Sequence, residues 1–400
     1  ELMVPVNYDE TVSVCDEFQI KFVDAGHLLG SSSIEVKVTE GDVSKTIIFS
    51  GDIGNINKPI IKDHKTMDGA DYVLIESTYG DRFHEERPDY VKALARILNE
   101  TFARGGNVVI PSFAVGRTQE MLYFLRIIKR DNMVKNYPNF EVYVDSPLAI
   151  EATNVFNNNV IDCFDEETME LINMGVNPLK FDGLKVSVTS NESVAINQNN
   201  MPKVILSASG MCEAGRIRHH LKHNLWRENS TILFVGYQAV GTLGRAILEG
   251  ATTVKLFGEI AVKARIESLK GISGHGDQKE LVKWLEAMKK RPQKVFVVHG
   301  EDEVCDIFAK LLRDEHGYDA YAPYSGTQFD LATGELIKEG VPIRIQSNSS
   351  KQRKPSTVYE RLLAAGQRLL AVIKRNEGGA NKDLAKFADQ VQALCDKWDR

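Results

Sequence analysis

The stretch Thr46-Ile-Ile-Phe-Ser-Gly-Asp52 decides the fold of this chain. Its β-branched, apolar beginning predicts a buried strand, and its end places an aspartate beside a glycine. A strand that ends in this way presents the side chain at a sheet edge, where a ligand can approach the backbone. Related glycine-flanked polar motifs, two of them also after apolar runs, occur far apart in the sequence at Val23-Asp-Ala-Gly-His27, Ser273-Gly-His-Gly-Asp277 and Val297-Val-His-Gly300.

These motifs supply the imidazole and carboxylate groups that a zinc-type metal site needs. Each residue alone has a more ordinary interpretation. A single histidine after a strand, such as His27, is more often a hydrogen-bonded core residue, and an aspartate beside a glycine, such as Asp52, is commonly a turn residue. Glu76 alone would be a strand-end charge, and Asp277 is placed to cap the helix that follows it. Only the joint pattern favours a metallo-hydrolase.

Composition limits the classes of protein to consider. With 400 residues, of which 43% are hydrophobic and 26% charged, the chain has the make-up of a globular protein of two or three domains. Its net charge of -6 argues against non-specific coating of nucleic acid, although a local basic groove is compatible with it. The five cysteines include no C-x-x-C pair, and no apolar run is long enough to cross a membrane. We therefore expect a cytoplasmic protein with reduced thiols and no membrane partner.

The spacing of apolar residues predicts one domain interrupted by another. The first part is rich in predicted strands, at residues 18–23, 33–38, 46–49 and 72–75. Predicted helices and strands then alternate, which indicates a parallel α/β domain: helices at 90–102 and 118–128, strands at 107–111, 141–144, 203–206 and 231–235. Further strands are predicted at 254–258, 260–266 and 294–298, with a helix at 278–289.

The last part of the sequence has a different character. Residues 345–356 are polar and basic, as in a linker. Helical apolar spacing follows over residues 359–374 and 382–398. We expect these two amphipathic helices to serve in packing or dimerisation rather than catalysis, which leaves a homodimer open.

Taken together, the motifs resemble those of one family. The chain is similar to metallo-β-lactamase-fold nucleases of the β-CASP group, relatives of the cleavage and polyadenylation specificity factor endonuclease, and above all to their bacterial and archaeal members. The resemblance covers about residues 18–330 and depends on the order and spacing of eight motifs: Asp24-Ala-Gly-His27-Leu-Leu-Gly-Ser-Ser, Phe49-Ser-Gly-Asp52-Ile-Gly, Ile75-Glu76-Ser-Thr-Tyr-Gly80, Pro111-Ser-Phe-Ala-Val-Gly-Arg117-Thr-Gln-Glu, Ser207-Ala-Ser-Gly-Met-Cys-Glu-Ala-Gly-Arg216, Gly236-Tyr-Gln-Ala-Val-Gly-Thr-Leu-Gly-Arg245, Ser273-Gly-His275-Gly-Asp and Val298-His299-Gly.

The resemblance implies a fold and its domain limits. The family fold is an α/β architecture, a metallo-β-lactamase αββα sandwich interrupted by a parallel α/β β-CASP domain. By this resemblance, residues 1–82 form part of the sandwich, 83–252 the β-CASP domain and 253–344 the returning segment of the sandwich. Residues 345–400 are the linker and a helical extension.

The resemblance also implies a metal site and an acid–base pair. His27, Asp52 and His299 correspond to metal ligands, with Asp52 bridging two zinc ions. Asp52, Glu76 and His275 correspond to catalytic residues, with the imidazole of His275 protonating the leaving oxygen. Two zinc ions suit phosphodiester hydrolysis because they generate a nucleophile from water and stabilise both the attacking and the leaving oxygen. A carboxylate beside a histidine orients the ring and keeps it charged.

The candidate substrate-binding residues form two sets. Ser273 belongs to the His275 motif, and the others are basic residues at predicted strand–turn–helix junctions, where glycine-rich turns and helix dipoles favour phosphate: Arg117, Arg216, Arg218, Lys222 and Arg245. Each of these alone is more often a solvated surface residue. The histidines at 219, 220 and 223 lack the glutamate of an H-E-x-x-H pattern, and the flanking basic residues favour a basic helix face over a ligand set.

One motif of the family is missing from this sequence, and its absence leads to two hypotheses about function. The family's zinc signature His-x-His-x-Asp-His does not occur in this sequence, so the ligands that do occur are too few for two ions. We expect that an N-terminal part carrying it precedes this sequence, since the later motifs are intact. The main hypothesis is a zinc-dependent ribonuclease that hydrolyses single-stranded RNA in processing or decay. The alternative is a non-catalytic RNA-binding or scaffold member of the family with an incomplete metal site.

Overall fold

The computed structural model describes residues 3–85, 88–269 and 271–342, single positions between 362 and 373, and residues 381–398. By its internal contacts the chain divides into two units, Glu1–Gly340 and Val341–Arg400. The strands of the first unit are β1 (Thr11–Ser13), β2 (Phe18–Asp24), β3 (Ser32–Glu40), β4 (Val43–Phe49), β5 (Tyr72–Ile75), β6 (Val108–Pro111), β7 (Glu141–Val144), β8 (Leu184–Val186), β9 (Lys203–Ser207), β10 (Thr231–Phe234), β11 (Thr253–Lys255), β12 (Glu259–Ala261), β13 (Arg265–Ser268), β14 (Lys294–Val297), β15 (Ala320–Tyr321), β16 (Gln328–Phe329) and β17 (Leu336–Lys338). Its helices are α1 (Tyr90–Ala103), α2 (Arg117–Arg130), α3 (Pro147–Asn158), α4 (Val160–Cys163), α5 (Glu166–Asn173), α6 (Ser190–Gln198), α7 (Ile217–Asn224), α8 (Leu243–Leu248), α9 (Gln278–Glu286) and α10 (Asp302–Asp314).

The first sheet is a mixed one of seven strands in the order β1-β2-β3-β4-β5-β14-β15. Strands β1 to β4 are antiparallel, whereas β4, β5, β14 and β15 run parallel. Neighbouring residues face opposite sides of this sheet, as the two-residue period of a strand requires. Ile48 and Val73 join the core beneath α9 and α10, while Ile47 and Tyr72 pack with Phe296 on the other face.

The second sheet is entirely parallel, with six strands in the order β13-β10-β6-β9-β7-β8. Every residue of its central strands β10, β6 and β9 is buried, as expected of strands that are covered on both faces. Val108 and Ile110 of β6 belong to one core, and Val109 of the same strand belongs to the core on the opposite face. The predicted parallel α/β domain is therefore confirmed.

The connection between the two sheets also agrees with the sequence analysis. Val73 of β5 pairs directly with Val295 of β14, although the strands of the six-stranded sheet lie between them in sequence. The mixed α/β fold, interrupted by a parallel sheet, is that of the metallo-β-lactamase and β-CASP combination. The domain limits at 82, 252 and 344 stay predictions; β13, which follows residue 253, is still a strand of the six-stranded sheet.

One predicted strand was wrong in extent. Residues 260–266 form two strands rather than one: β12 pairs with β11 in a hairpin, and β13 pairs with β10. Between them, the backbone N–H groups of Lys263 and Ala264 both donate to the carbonyl oxygen of Leu225. The chain is held there by the carbonyl of Leu225, the residue that caps the end of α7, rather than by either sheet.

The second unit contains the helix α11 (Asn381–Trp398), which confirms the predicted helix at 382–398. The predicted linker at 345–356 lies outside the described residues, and so does most of the predicted helix at 359–374. In the described part of the chain, no helix combines the length and apolar character that crossing a membrane requires.

Candidate metal centre and its surroundings

The five residues of the predicted site converge at one edge of the seven-stranded sheet. His27 follows β2, Asp52 follows β4, Glu76 directly follows β5, and His299 follows β14. Because β4, β5 and β14 are parallel neighbours, their carboxyl ends meet at this edge. His275 arrives from the other direction, on the loop before α9, where its neighbour Asp277 caps the helix by accepting from the N–H of Glu280 at 3.1 Å.

Asp52 lies between two of the predicted ligands. Its Oδ1 is 3.2 Å from Nε2 of His299, and its Oδ2 is 3.9 Å from Nε2 of His27. The side chain of His27 is 12% exposed, whereas that of His299 is 61% exposed, so the site opens to solvent on the His299 side. His27, Asp52 and His275 each offer a ligand atom, and these atoms lie within 4.8 Å of one another. His299 is not part of that compact group.

Two glycines allow the loops to come this close. Gly51 has φ +57°, and a Cβ there would lie 2.4 Å from the carbonyl oxygen of Ser32. Gly274 faces the ring of His27, and a Cβ there would lie 2.8 Å from its Cε1. The glycines of the motifs are thus needed for close packing around the metal centre.

Glu76 and His275 form a buried ion pair. Nδ1 of His275 lies 3.0 Å from Oε2 and 3.2 Å from Oε1 of Glu76, whose side chain is 1% exposed. Oε1 also accepts from the N–H of Ile53 at 2.5 Å, which fixes the carboxylate. Burial acts to lower the pKa of His275, but the hydrogen bond and charge of Glu76 outweigh it, so this pKa lies above its ordinary value. The pair therefore favours the protonated form of the imidazole, whose Nδ1 faces the carboxylate.

The pKa of His27 is shifted in the opposite direction to that of His275. Burial, and then the charges of His275 and Lys58, lower the pKa of His27 to about 4, so its ring is neutral at pH 7. Its Nδ1 is buried and has no hydrogen-bond partner among the described residues. A neutral imidazole with an orphaned nitrogen, beside a carboxylate and a second imidazole, is a donor set that suits a divalent metal ion. The residues present therefore fit a metal.

The predicted substrate-binding residues do not form one group. Ser273 lies next to the metal centre, where its Oγ accepts from the N–H of His275 at 3.2 Å. The guanidinium of Arg117 is 10% exposed; it pairs with Glu120 and donates to the carbonyl oxygen of Ile272 at 2.8 Å. Arg117 thus supports the loop that carries Ser273, and its role in binding substrate stays a prediction.

The other basic residues lie around α7 and α8. Arg216 donates to Asp145 Oδ1 at 2.7 Å and to the carbonyl oxygens of Ser187 and Val188, which follow β8. Arg218 donates to the carbonyl oxygen of Glu213 and lies over the ring of Phe257, and Arg245 pairs with Glu249. Lys222 is exposed. Of these, Lys222 and the partly exposed Arg218 and Arg245 present cationic surface to solvent.

Sequence reasoning missed a buried polar network in the six-stranded sheet domain. Nε2 of His220 lies 2.6 Å from Oδ2 of Asp145, and both side chains are 0% exposed. The hydroxyl of Ser193 donates to the same oxygen. Burial acts to raise the pKa of Asp145, but the hydrogen bonds from His220, Ser193 and Arg216 hold it well below the usual range. The basic-face interpretation therefore applies to the exposed His219 and His223 but not to His220.

Comparison with known proteins gives two family matches. Residues 118–247 match the Beta-Casp domain, and residues 259–323 match the Zn-dependent metallo-hydrolase RNA specificity domain. Both matched regions contain residues of the predicted site, Arg216 and His275 among them. The second match implies a metal cofactor and RNA as substrate.

Curated proteins of similar sequence point to the same family. Ribonuclease TTHA0252 of Thermus thermophilus is 37% identical over 309 residues, covering 77% of this chain and 68% of that protein. An RNase J-like protein of Methanocaldococcus jannaschii is 32% identical over 326 residues, covering 80% of this chain and 73% of the relative. Transcription termination factor FttA of the same organism is 30% identical over 332 residues, and this chain spans about half of it, 51%. On these matches and the geometry above, the chain belongs to the metallo-β-lactamase-fold β-CASP family of RNA nucleases, which are metal-dependent hydrolases.

Proposed function

We propose that this protein is a zinc-dependent ribonuclease that hydrolyses phosphodiester bonds of single-stranded RNA in RNA processing or decay. The observation that carries the proposal is the meeting of two kinds of group at one sheet edge. A carboxylate flanked by two imidazoles, Asp52 with His27 and His299, lies beside a buried acid–base pair, Glu76 with His275. Phosphodiester hydrolysis needs both kinds of group, since it needs a nucleophile and a proton for the leaving oxygen.

His27, Asp52 and His299 are the residues that would hold the metal. We propose zinc on the family resemblance and on the imidazole and carboxylate donors, with two ions in the full-length protein. When bound, zinc supplies a water of lowered pKa and neutralises charge on the phosphate. The neutral ring of His27 suits this role because a protonated imidazole has no free lone pair.

His275 would act as the proton donor. Glu76 holds Nδ1–H of its ring, which leaves Nε2–H to be given to the leaving oxygen. The carboxylate of Glu76 raises the pKa of His275, which favours the protonated ring that a proton donor needs. The same ring also lies in the compact group with His27 and Asp52, so it could instead serve as a metal ligand. Metal content distinguishes the two roles.

Substrate binding by Ser273 and the basic residues is proposed on position alone. Ser273 lies against His275, where a phosphate next to the reacting bond would pass. Lys222, Arg218 and Arg245 add exposed positive charge on the six-stranded sheet domain, and Arg117 and Arg216 support neighbouring loops. We further propose a cytoplasmic location, supported by five unpaired cysteines, and a homodimer formed through the amphipathic helix α11.

The test measures RNA cleavage and the amount of bound zinc in the same protein samples. We expect the full-length protein with zinc to cleave a fluorescent single-stranded RNA, and EDTA to abolish cleavage. The double variant Asp52→Asn with His299→Ala should lose bound zinc, measured by inductively coupled plasma mass spectrometry. His275→Ala should keep its zinc and lose most of the rate.

The matched control is His316→Ala, which removes a surface histidine paired with Glu286. It should change neither zinc content nor rate. Cleavage retained in the double variant would refute the metal assignment, and zinc loss in His275→Ala would make His275 a ligand. RNA binding without zinc-dependent cleavage would favour the non-catalytic scaffold.

A further inference from the structure

A buried lysine lies directly behind the metal centre. Lys58 follows Asp52 on the same loop, and it is only 8% exposed. Its Nζ donates to the carbonyl oxygen of His27 at 2.7 Å and approaches that of Gly274 at 3.4 Å. These two carbonyls belong to the two loops that carry the imidazoles of the site. One ammonium thus bridges segments that are far apart in sequence.

The two loops are also joined by the backbone of the Asp52 loop. The N–H of Gly54 donates to Ala25, and the N–H of Asn55 donates to Gly274, at 2.8 and 2.9 Å. The N–H of Gly276 returns a bond to Ile53 at 2.8 Å. Together these bonds place the ring centroids of His27 and His275 at 4.3 Å. Lys58 adds a side-chain bond at the point where the two rings meet.

Electrostatics alone does not explain a lysine at this place. A cation here opposes the charge of a metal ion and lowers the pKa of His27. Burying an ammonium is also costly unless its N–H groups are satisfied. Carbonyl oxygens from both loops satisfy it, so the lysine is held by the structure that it joins. Its charge also favours the ionised form of the buried Asp24, so what it contributes to the two imidazole loops in particular is its hydrogen bonds.

We infer that Lys58 is a positioning residue, whose ammonium holds the His27 loop against the His275 loop and so fixes the separation of the two imidazoles. Its effect on catalysis rests on the proposed ribonuclease function, whereas its effect on the geometry does not. Small displacements of catalytic groups are costly, since misplacement by about 1 Å can reduce a rate about 100-fold. Loss of Lys58 should therefore reduce kcat and leave KM nearly unchanged.

The first experiment requires neither metal nor RNA. In metal-free protein with labelled histidine, the rings of His27 and His275 are close enough to give a nuclear Overhauser effect between ring protons. We expect this signal in the wild type and in Lys58→Arg, which keeps a donor of similar reach, and we expect its loss in Lys58→Met. Retention of the signal at full strength in Lys58→Met would overturn the inference. If Lys58→Met does not fold, Lys58→Leu, which also lacks a donor, gives the same comparison.

The second experiment measures kinetics on a fluorescent single-stranded RNA with zinc. We expect Lys58→Met to reduce kcat about 10- to 100-fold, with Lys58→Arg partly restoring it. The matched control is Lys129→Met, since Lys129 also donates to two backbone carbonyls, those of Pro138 and Phe140, in the six-stranded sheet domain. It should leave kcat unchanged.

The outcomes separate the two proposals. A rise in KM with unchanged kcat would show that Lys58 contacts RNA, and this would overturn the positioning role. A wild type that gives the ring-to-ring signal but cleaves no RNA would reject the ribonuclease function and keep the geometric role of Lys58. Equal kcat losses in Lys58→Met and Lys129→Met would indicate a general loss of structure and overturn the inference.

Discussion

The pairing of Glu76 with His275 can be tested by removing the charge and keeping the shape. In Glu76→Gln the amide oxygen in the Oε1 position can still accept from the N–H of Ile53 and from His275 Nδ1–H, which lie 2.5 and 3.2 Å from that oxygen, while the amide NH2 takes the place of Oε2. The side chain of Glu76 is 1% exposed, so solvent does not stand in for the lost negative charge. The variant therefore removes the charge of the carboxylate and one of its two contacts with the ring.

The size of the effect follows from the bond that is weakened. A hydrogen bond to a charged group contributes about 1.5–3 kcal/mol, and about 1.4 kcal/mol corresponds to a tenfold change in rate. We therefore expect kcat at neutral pH to fall about 10- to 150-fold. The carboxylate raises the pKa of His275, so its removal lowers that pKa. Since a general acid acts in its protonated form, the falling limb of the pH–rate profile should move to lower pH.

Single-turnover cleavage across a pH series, with a nuclear magnetic resonance titration of His275 in the metal-free variant, measures both effects. The control is Asp71→Asn, a buried carboxylate at the opposite end of β5 that accepts from Lys290 at 2.8 Å. It should leave the profile in place. An unmoved limb in Glu76→Gln, with His275 titrating as in the wild type, would refute the acid–base pairing.

The same substitution has a consequence for stability. A histidine whose pKa is raised in the folded state stabilises that state fully below its ordinary pKa of about 6.5, and the contribution is lost as the pH rises through the folded-state value. Glu76→Gln should therefore lower the free energy of unfolding of metal-free protein more in acid than in alkali. Urea denaturation at both pH values measures this difference.

Two further predictions concern the packing around the site and the buried network. Asp145→Asn should lower the free energy of unfolding by about 3 kcal/mol at neutral pH, since it leaves Arg216 without its buried partner. The folded-state pKa of Asp145 is depressed, so the stabilisation by this carboxylate is lost as the pH falls through that pKa. Urea denaturation should therefore show the difference between variant and wild type shrinking in acid. Gly274→Ala should displace the ring of His27 and weaken zinc binding in competition with a chelating dye, whereas Gly236→Ala, at a glycine without a positive φ and with nothing near its missing Cβ, should leave zinc binding unchanged.

The sequence predicted most elements because local patterns decide them. Apolar runs at β4, β5, β6 and β9 are long enough to identify buried strands, and Asp277 marks the start of α9. The break between β12 and β13 was missed because the acceptor that turns the chain, the carbonyl of Leu225, is distant in sequence. Periodicity carries no information about such a partner.

Some residues of the candidate site could likewise be predicted from the sequence, and others could not. Motif order brought His27, Asp52, Glu76, His275 and His299 to attention, and the fold places them together. The burial of His220 and Lys58 could not be predicted, because each depends on partners from other elements of the folded chain: Asp145 in one case and two loop carbonyls in the other. A basic residue in a polar stretch has the same sequence signature whether it is exposed or buried.

The direct pairing of β5 with β14 has a consequence for how the site forms during synthesis. Glu76 and His275 are 199 residues apart in sequence, and the six-stranded sheet lies between them. A growing polypeptide therefore cannot form the pair of Glu76 and His275 until the inserted domain has left the ribosome, and bringing such distant segments together is slow. Nuclease activity that depends on this pair should accordingly arise only after His275 has been synthesised, which would keep a nascent chain without it from cutting the message that encodes it.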